Sequence, residues 1–289
     1  MRIRAILTAC LILLCTTAIS CRTHEPEKNV RPQNTLNILH VPDDTFRKSI
    51  NNARNYTKSE HSICGVVPHH LVAADLIAGF LKSLEAQYDT VIIFAPDHNG
   101  GNGEAVVSRL GWSVGTGVIK CDTDLLSKIT AIKGIQFVTD DNRLQNDHSA
   151  SNLIPYVHYY LPKAEVVPIL LSNKIVYTEA ERFATQLYKI VSDKKCLVMF
   201  SIDFSHYLTP LNALQHDKVI RQAITDCNLL KISNMDNSYL DCPPALEIFL
   251  AYTKAAGGKL QILENTDASK LMNRKIAQTT SYFIIRADQ

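Results

Sequence analysis

The amino-acid sequence predicts an α/β fold: a single three-layer domain whose central mixed or mostly parallel sheet is flanked by helices. Its 289 residues are 46% hydrophobic and 20% charged, the composition of an ordinary globular protein. Apolar, strand-like runs alternate along the chain with amphipathic, helix-like segments. Because these runs are continuously apolar, we expect the sheet to be covered on both faces. The predicted domain occupies residues 36–289.

The predicted strands and helices follow one another in the order that an α/β domain requires. Runs rich in Val, Ile, Leu and Phe predict strands at residues 64–70, 90–98, 165–172, 195–207 and 279–287. Apolar residues at helical spacing predict helices at residues 71–87, 122–132, 149–160, 178–193, 210–227 and 242–258. Thr178 is placed to cap one of these helices, and Gly257 and Gly258 are placed to end another.

Residues 1–20 predict a lipoprotein signal peptide. The basic start MRIR precedes an uncharged apolar stretch that is short for a membrane span. The stretch ends in AISC, which resembles a bacterial lipobox with Cys21 as the lipidated residue. Residues 21–35 are polar and contain proline, as a tether would. We therefore expect a membrane-anchored lipoprotein of the cell envelope; the alternatives are a plain signal peptide and an uncleaved anchor.

Charge and cysteine content narrow the possible partners and bonds. The formal net charge is +2, and the sequence has no arginine-rich tract or RNA-binding motif, so we expect no nucleic-acid partner. Five cysteines follow Cys21 at wide spacing, without a C-x-x-C pair. Since five is an odd number, at least one of these thiols should be outside any disulfide.

Polar side chains cluster where predicted strands end. In open α/β sheets, ligands bind beyond the carboxyl ends of the strands, and imidazoles there can bind a metal ion or transfer protons. Taken singly, each residue could equally serve a turn, a helix cap or the core. The chain has only ten histidines, so their joint placement is informative. The residues are His69, His70, Asp97, His98, Asp203 and His206 at strand ends, and His148 in the segment NDHS.

Several catalytic motifs are absent from the sequence. It contains no H-E-x-x-H, no C-x-x-C and no G-x-S-x-G, which disfavours zinc proteases, zinc ribbons and α/β-hydrolases. The glycines of residues 100–103 lack the phosphate-binding patterns and favour a flexible loop. Two histidines with one anionic ligand and open positions, in contrast, are the arrangement of non-haem iron sites.

Five segments together resemble the Memo family, also called AmmeMemoRadiSam system protein B. That family is distantly similar to class III extradiol dioxygenases such as the catalytic subunit of protocatechuate 4,5-dioxygenase. The resemblance covers nearly all of the predicted domain and implies a Memo-like, extradiol-dioxygenase-like fold. The segments are VPH ending at His69, APDH ending at His98, DHS around His148, SIDFSH ending at His206, and DC ending at Cys242.

The resemblance implies a metal centre and the roles of its residues. His69, His98 and Cys242 would bind the ion, either iron (Fe²⁺) or copper, since a thiolate suits both. His206 with nearby Asp203, and also His148, would act as acid, base or supporting residues.

Two departures from the family pattern affect the substrate side of this centre. The family's A-G-Y after the first histidine is replaced by residues 70–72, and Ser151 stands where the family has a second acidic residue.

Three hypotheses for the function follow. The first is a Memo-like metal-binding protein of the cell envelope with iron- or copper-dependent redox or dioxygenase-like activity on an unidentified substrate. The second is a non-enzymatic module that binds metal, a small molecule or a peptide in the same cleft, which the two departures favour. The third, a hydrolase that uses His and Asp with water, has the least support.

Overall fold

A nine-stranded mixed sheet lies at the centre of the fold. The computed structural model describes residues 35–289. The signal peptide, the lipidation site Cys21 and residues 21–34 of the predicted tether lie outside the described residues, and these predictions stay untested. Residue 35, assigned to the tether, begins the first strand.

Twelve strands and eleven α-helices are present in the described residues. The strands are β1 (Thr35–Asn37), β2 (Ser62–Val67), β3 (Thr90–Pro96), β4 (Ala105–Val107), β5 (Gly111–Val114), β6 (Gly117–Ile119), β7 (Phe137–Thr139), β8 (Glu165–Leu171), β9 (Cys196–Ser201), β10 (Phe204–Leu208), β11 (Lys259–Asp267) and β12 (Thr279–Asp288). The helices are α1 (Asp43–Asn51), α2 (Ala74–Lys82), α3 (Thr123–Thr130), α4 (Asp141–Asn146), α5 (His148–Ser151), α6 (Ile154–Tyr160), α7 (Tyr177–Val191), α8 (Pro210–Thr225), α9 (Leu229–Ser233), α10 (Pro243–Ala255) and α11 (Ala268–Leu271).

The strand order of the large sheet is β10-β12-β2-β9-β3-β8-β4-β7, and β11 pairs with β12. Strands β2, β9, β3 and β8 are parallel, whereas β12 is antiparallel to β2 and β4 is antiparallel to β8. A small second sheet has the order β1-β5-β6. The mixed α/β sheet confirms the predicted fold class.

Helices cover both faces of the large sheet, as the continuously apolar strands predict. Ile92 and Phe94 of β3 join a core with residues of α3, α7, α8 and α10. Their neighbours Val91 and Ile93 join a second core with residues of α2 and α6. Alternate side chains of one strand therefore enter opposite layers, as the pleat of a strand requires.

The structure differs from the predicted elements at several points. Residues 195–207 form two strands, because β9 ends at Ser201 and β10 pairs antiparallel with β12. Thr178 is no cap, since α7 already begins at Tyr177. Strands β4 to β7 escape prediction because each has only three or four residues, too few to reveal a period of two.

All five described cysteines are free thiols, in agreement with the odd count. Cys227 is exposed, Cys121 is half-buried, and the other three are buried: Cys64, Cys196 and Cys242. Within residues 35–289, no helix combines the length and the apolar character that crossing a membrane would need.

Candidate metal centre

Three neighbouring parallel strands place the centre. Strand β9 lies between β2 and β3 in the sheet, so the carboxyl ends of all three strands meet at one edge. His69 follows β2 after one intervening residue, His98 follows β3 in the same way, and Ser201 ends β9. Residues far apart in the sequence therefore meet at the edge where parallel sheets bind ligands.

His69 is fully buried, and its hydrogen bonds fix its tautomer. The Ser201 hydroxyl donates its only proton to the carbonyl of Ser149, with an O–O distance of 2.7 Å. The same hydroxyl lies 3.0 Å from His69 Nδ1, so it accepts the Nδ1–H. Nε2 of the neutral ring then carries a free lone pair, and it lies 3.4 Å from Asp241 and 3.6 Å from Asp203.

His98 is oriented by the buried carboxylate of Asp147. Asp147 Oδ1 lies 3.0 Å from His98 Nδ1, and Oδ2 accepts the His98 backbone N–H at 2.8 Å. Burial alone would raise the pKa of Asp147, but hydrogen bonds from His98 and Ser149 hold that pKa below its usual range. An ionised Asp147 accepts the Nδ1–H of His98 and leaves Nε2 free, the arrangement typical of metal-binding histidines.

The turn after β3 is held by an ion pair with α4. The buried side chain of Asp97 pairs with Arg143 of α4 through a bidentate contact. Arg143 also donates to the carbonyl of Asn102 at 3.0 Å. Asp97 therefore fixes the turn that carries His98, whereas the carboxylate that contacts the imidazole is Asp147.

His148 begins α5 and lies against both of these histidines. Its ring stacks on His98 with centroids 4.6 Å apart, and it meets His69 edge-on at 5.2 Å. Each of the three rings offers a nitrogen, and these nitrogens lie within 4.8 Å of one another. His69, His98 and His148 are therefore close enough for one ion to contact all three.

A second group of possible ligands shares His69. It contains the buried carboxylates of Asp203 and Asp241, again with ligand atoms within 4.8 Å of one another. Burial raises the pKa of Asp241 well above its usual range, and the nearby Asp203 carboxylate raises it further. Asp241 Oδ1 and His206 Nε2 are buried without a hydrogen-bond partner among the described residues. Buried acceptors that lack a donor fit a bound cation.

Burial lowers the pKa of three histidines in this region, which are His69, His148 and His206. Burial lowers the pKa of His69 well below its usual range, and the neighbouring His98 and His148 lower it further. Since a metal ion binds the unprotonated imidazole, the donor set present here suits a metal ion.

Cys242 is absent from both groups of possible ligands. It precedes α10 as its N-cap residue and is buried in the hydrophobic core. Burial raises the pKa of the thiol well above its usual range. Its role as the third ligand stays a prediction.

Comparison with known proteins shows the family of this chain. A sequence profile described as "Memo-like protein" matches residues 42–281 of the chain. The chain belongs to the Memo-like family. A MEMO1 family protein of Archaeoglobus fulgidus is 25% identical over 231 residues, which cover 76% of this chain and 87% of the relative.

Other relatives match in part. A MEMO1 family protein of Pyrobaculum arsenaticum is 30% identical over 157 residues, 51% of this chain and 54% of the relative, so this match spans about half of its length. The crystal structure of an uncharacterized Escherichia coli K12 protein shares the fold with a TM-score of 0.54 and 9% identity, covering 77% of this chain and 99% of that one. At this identity the similarity concerns the fold alone.

Sequence reasoning places His69, His98, His148, Asp203 and His206 at this edge of the sheet, and the structure brings them together. It missed three residues that orient them: Asp147, Ser201 and Asp241. Each was part of a Memo-like segment, but the hydrogen bond between His98 and Asp147 spans 49 residues of sequence. Only the three-dimensional arrangement assigns such a partner.

Proposed function

We propose that this Memo-like protein binds a transition-metal ion at the cell envelope and uses it in redox chemistry on a small molecule. One observation carries the proposal. His69 and His98 each use Nδ1 for a hydrogen bond, and with His148 they offer nitrogens within 4.8 Å of one another. The proposed ligands are these three histidines, and Asp203 and Asp241 balance the charge of the ion.

The proposed ion is iron (Fe²⁺) or copper. Imidazole nitrogen suits both, as well as zinc and nickel. A bound iron or copper ion would supply one-electron and oxygen chemistry to this centre. Asp147 and Ser201 keep the Nδ1 protons of His98 and His69 in place, which keeps both Nε2 atoms available.

The chain's own residues provide access and proton transfer. The side chain of His98 is 32% exposed and that of His70 is 47% exposed, so the centre opens to solvent on one side. His206 Nε2 lies 3.9 Å from Asp241 on a neighbouring side. We propose that His206, supported by Asp203, exchanges a proton with a small molecule bound at the open side.

Metal content of the purified protein tests the ligand set. We expect one ion per chain in the wild type and less than one tenth of that in His69→Ala, His98→Ala and His148→Ala, but an unchanged amount in Cys242→Ala. His61→Ala is the matched control, because His61 is exposed and precedes β2 at the strand end opposite His69. Equal metal in every variant would exclude the centre. Loss in Cys242→Ala with retention in His148→Ala would restore the thiolate as the third ligand.

One observation favours a non-enzymatic metal-binding module as the second candidate. Ser151, which replaces a family acid, is fully buried and donates to the carbonyl of Asp147, so it offers no proton-accepting group to a substrate. Oxygen uptake by the metal-loaded protein with added reductants distinguishes the two. Uptake that His206→Ala abolishes supports the enzyme, and tight metal binding without uptake supports the module.

The proposed location rests on the sequence of the first 21 residues. We expect the wild type in the membrane fraction and Cys21→Ser in the soluble fraction of expressing bacteria, with lipid label incorporated only into the wild type. An unlabelled protein in the soluble fraction would exclude lipid anchoring.

A further inference from the structure

The backbone on both sides of His206 is strained. Ser205 has a φ of 45° and Tyr207 a φ of 53°, in the left-handed region that bulky residues avoid. Residues 205–207 form a bulge between β10 and β12. Phe204 pairs with Ser281 and Leu208 pairs with Thr279, so the three residues in between lie opposite a single residue, Thr280. We call this segment the His206 bulge. Such outliers persist only where the surrounding structure holds them.

Asp217 of α8 holds this bulge in place. The Ser205 hydroxyl donates to Asp217 Oδ1 at 2.7 Å, and Ser281 of β12 donates to the same oxygen. Asn265 of β11 donates to Oδ2 at 2.9 Å. The Asp217 carboxylate is buried, so three elements support the strained conformation.

The two aromatic side chains of the bulge differ in exposure. The His206 side chain is 12% exposed and approaches Asp241, whereas Tyr207 is 68% exposed. The Tyr207 ring meets the His206 ring edge-on, with centroids 5.7 Å apart. Apart from the edge-on contact with His206, the Tyr207 side chain has no aromatic or hydrogen-bonding partner within residues 35–289.

We propose that Tyr207 is a specificity-determining residue that stacks against an aromatic ring of the small molecule bound at the centre. The inference rests on the proposed function, because the contacts from Tyr207 through His206 and Asp241 lead to His69. The backbone of Tyr207 is held in place, and its ring is open to water. Such a ring gains the most binding free energy by stacking on a planar, apolar partner. Leu211, the second residue of the following helix, is also apolar and 65% exposed.

Binding of p-cresol to the metal-free protein tests this role, with 4-methylcyclohexanol as the matched non-aromatic probe. We expect NMR titrations to show a Kd for p-cresol about three- to tenfold higher in Tyr207→Gly than in the wild type. Tyr207→Phe should keep the wild-type Kd, because it retains the ring. Tyr159→Ala is the control, since Tyr159 is 53% exposed on α6 and has ring contacts with Phe46 and Tyr160.

A second measurement separates a binding role from a structural one. Glycine adopts a positive φ without strain, so Tyr207→Gly should melt at a higher temperature than the wild type. An unchanged Kd for p-cresol, equal affinity for both probes, or a lower melting temperature would each overturn the proposal. Metal content is measured separately, on protein that has been loaded with metal. A wild type that binds no metal would overturn the proposed metal centre. The p-cresol titration uses metal-free protein, so it would still test the role of Tyr207.

Discussion

The turn that carries His98 and the bulge that carries His206 differ in where the strained backbone falls. In the His98 turn, residues 97–103, positive φ angles occur at Gly100, Gly101 and Gly103. In the His206 bulge they occur at Ser205 and Tyr207, which have side chains. Glycine adopts a positive φ without strain, so the turn loses little stability. The residues of the bulge have side chains, so the same backbone conformation lowers the stability of the protein.

The two segments also differ in how they are anchored. The turn is held by the ion pair of Asp97 with Arg143, and its histidine by the charged Asp147. The bulge is held by hydrogen bonds from neutral donors to Asp217. The proposed centre therefore combines an unstrained turn that is anchored by charges with a strained bulge that is anchored by hydrogen bonds. Four experiments test this difference.

Removal of the ion pair in the turn should have the largest effect. Arg143→Ala leaves the Asp97 carboxylate buried without its partner, so we expect a loss of about 3 kcal/mol in the free energy of unfolding. Urea denaturation measures this loss. Arg109→Ala is the control, because Arg109 is exposed. A loss no greater than in the control would mean that the pair does not anchor the turn.

Removal of the bulge anchor should cost less. Asp217→Ala leaves the donors of Ser205, Ser281 and Asn265 without their acceptor, which we expect to cost about 2 kcal/mol of unfolding free energy. Asp226→Ala near the end of the same helix removes an exposed carboxylate and should change little. Equal stability of the two variants in urea would contradict the role of Asp217.

The charge of Asp147 gives the turn a pH dependence. Its folded-state pKa lies below the usual range, so its contribution to stability is complete above about pH 4 and is lost as the pH falls further. Asp147→Asn should lack this component of acid denaturation and bind metal about 10- to 100-fold more weakly. Denaturation from pH 6 to pH 2 and metal titration at neutral pH measure both effects. If Asp147→Asn and the wild type lost stability identically between pH 6 and pH 2, Asp147 would not be the source of this pH dependence.

Removing a glycine from the turn and adding one to the bulge should change the free energy of unfolding least, and in opposite directions. Gly100 has a φ of 62° and open space around its missing side chain, so Gly100→Ala should lose about 1 kcal/mol through backbone strain alone. Tyr207→Gly should gain up to about 1 kcal/mol for the converse reason. Calorimetric melting of both variants at one pH checks the pair. Destabilisation by both exchanges would remove the contrast between turn and bulge.

The sequence predicts most of the long elements but misses α1 and β11, each of nine residues. It also predicts the edge of the sheet at which the histidines meet. Strands β3 and β8 are apolar after their first residues, and the histidine after β3 lies within a turn signal of Asp, Asn and Gly. The His206 bulge carries no such signal, because Ser205 and Tyr207 are unusual residues for a positive φ. It depends on Asp217, twelve residues beyond Ser205, and on Ser281, which only the completed sheet brings near.

The histidines of the proposed ligand set are predictable from the sequence only in part, for a similar reason. His69 and His98 follow apolar strands and could be expected at the same edge. His148 was assigned a proton-transfer role, yet its ring stacks on His98. The strand ends gave no information on the conformation of the loop before α5. The contact arises because Asp147 binds the backbone and the ring of His98 together.

The distribution of free thiols allows the orientation of the domain in the proposed envelope location to be measured on the wild-type protein, without introducing a cysteine. Cys227 is the exposed cysteine among the five described, whereas the other four are half-buried or buried. A membrane-impermeant maleimide added to intact cells should therefore label Cys227 first, and only when the domain faces the outside. For the proposed membrane-anchored protein, this natural label would report which side of the membrane the domain faces.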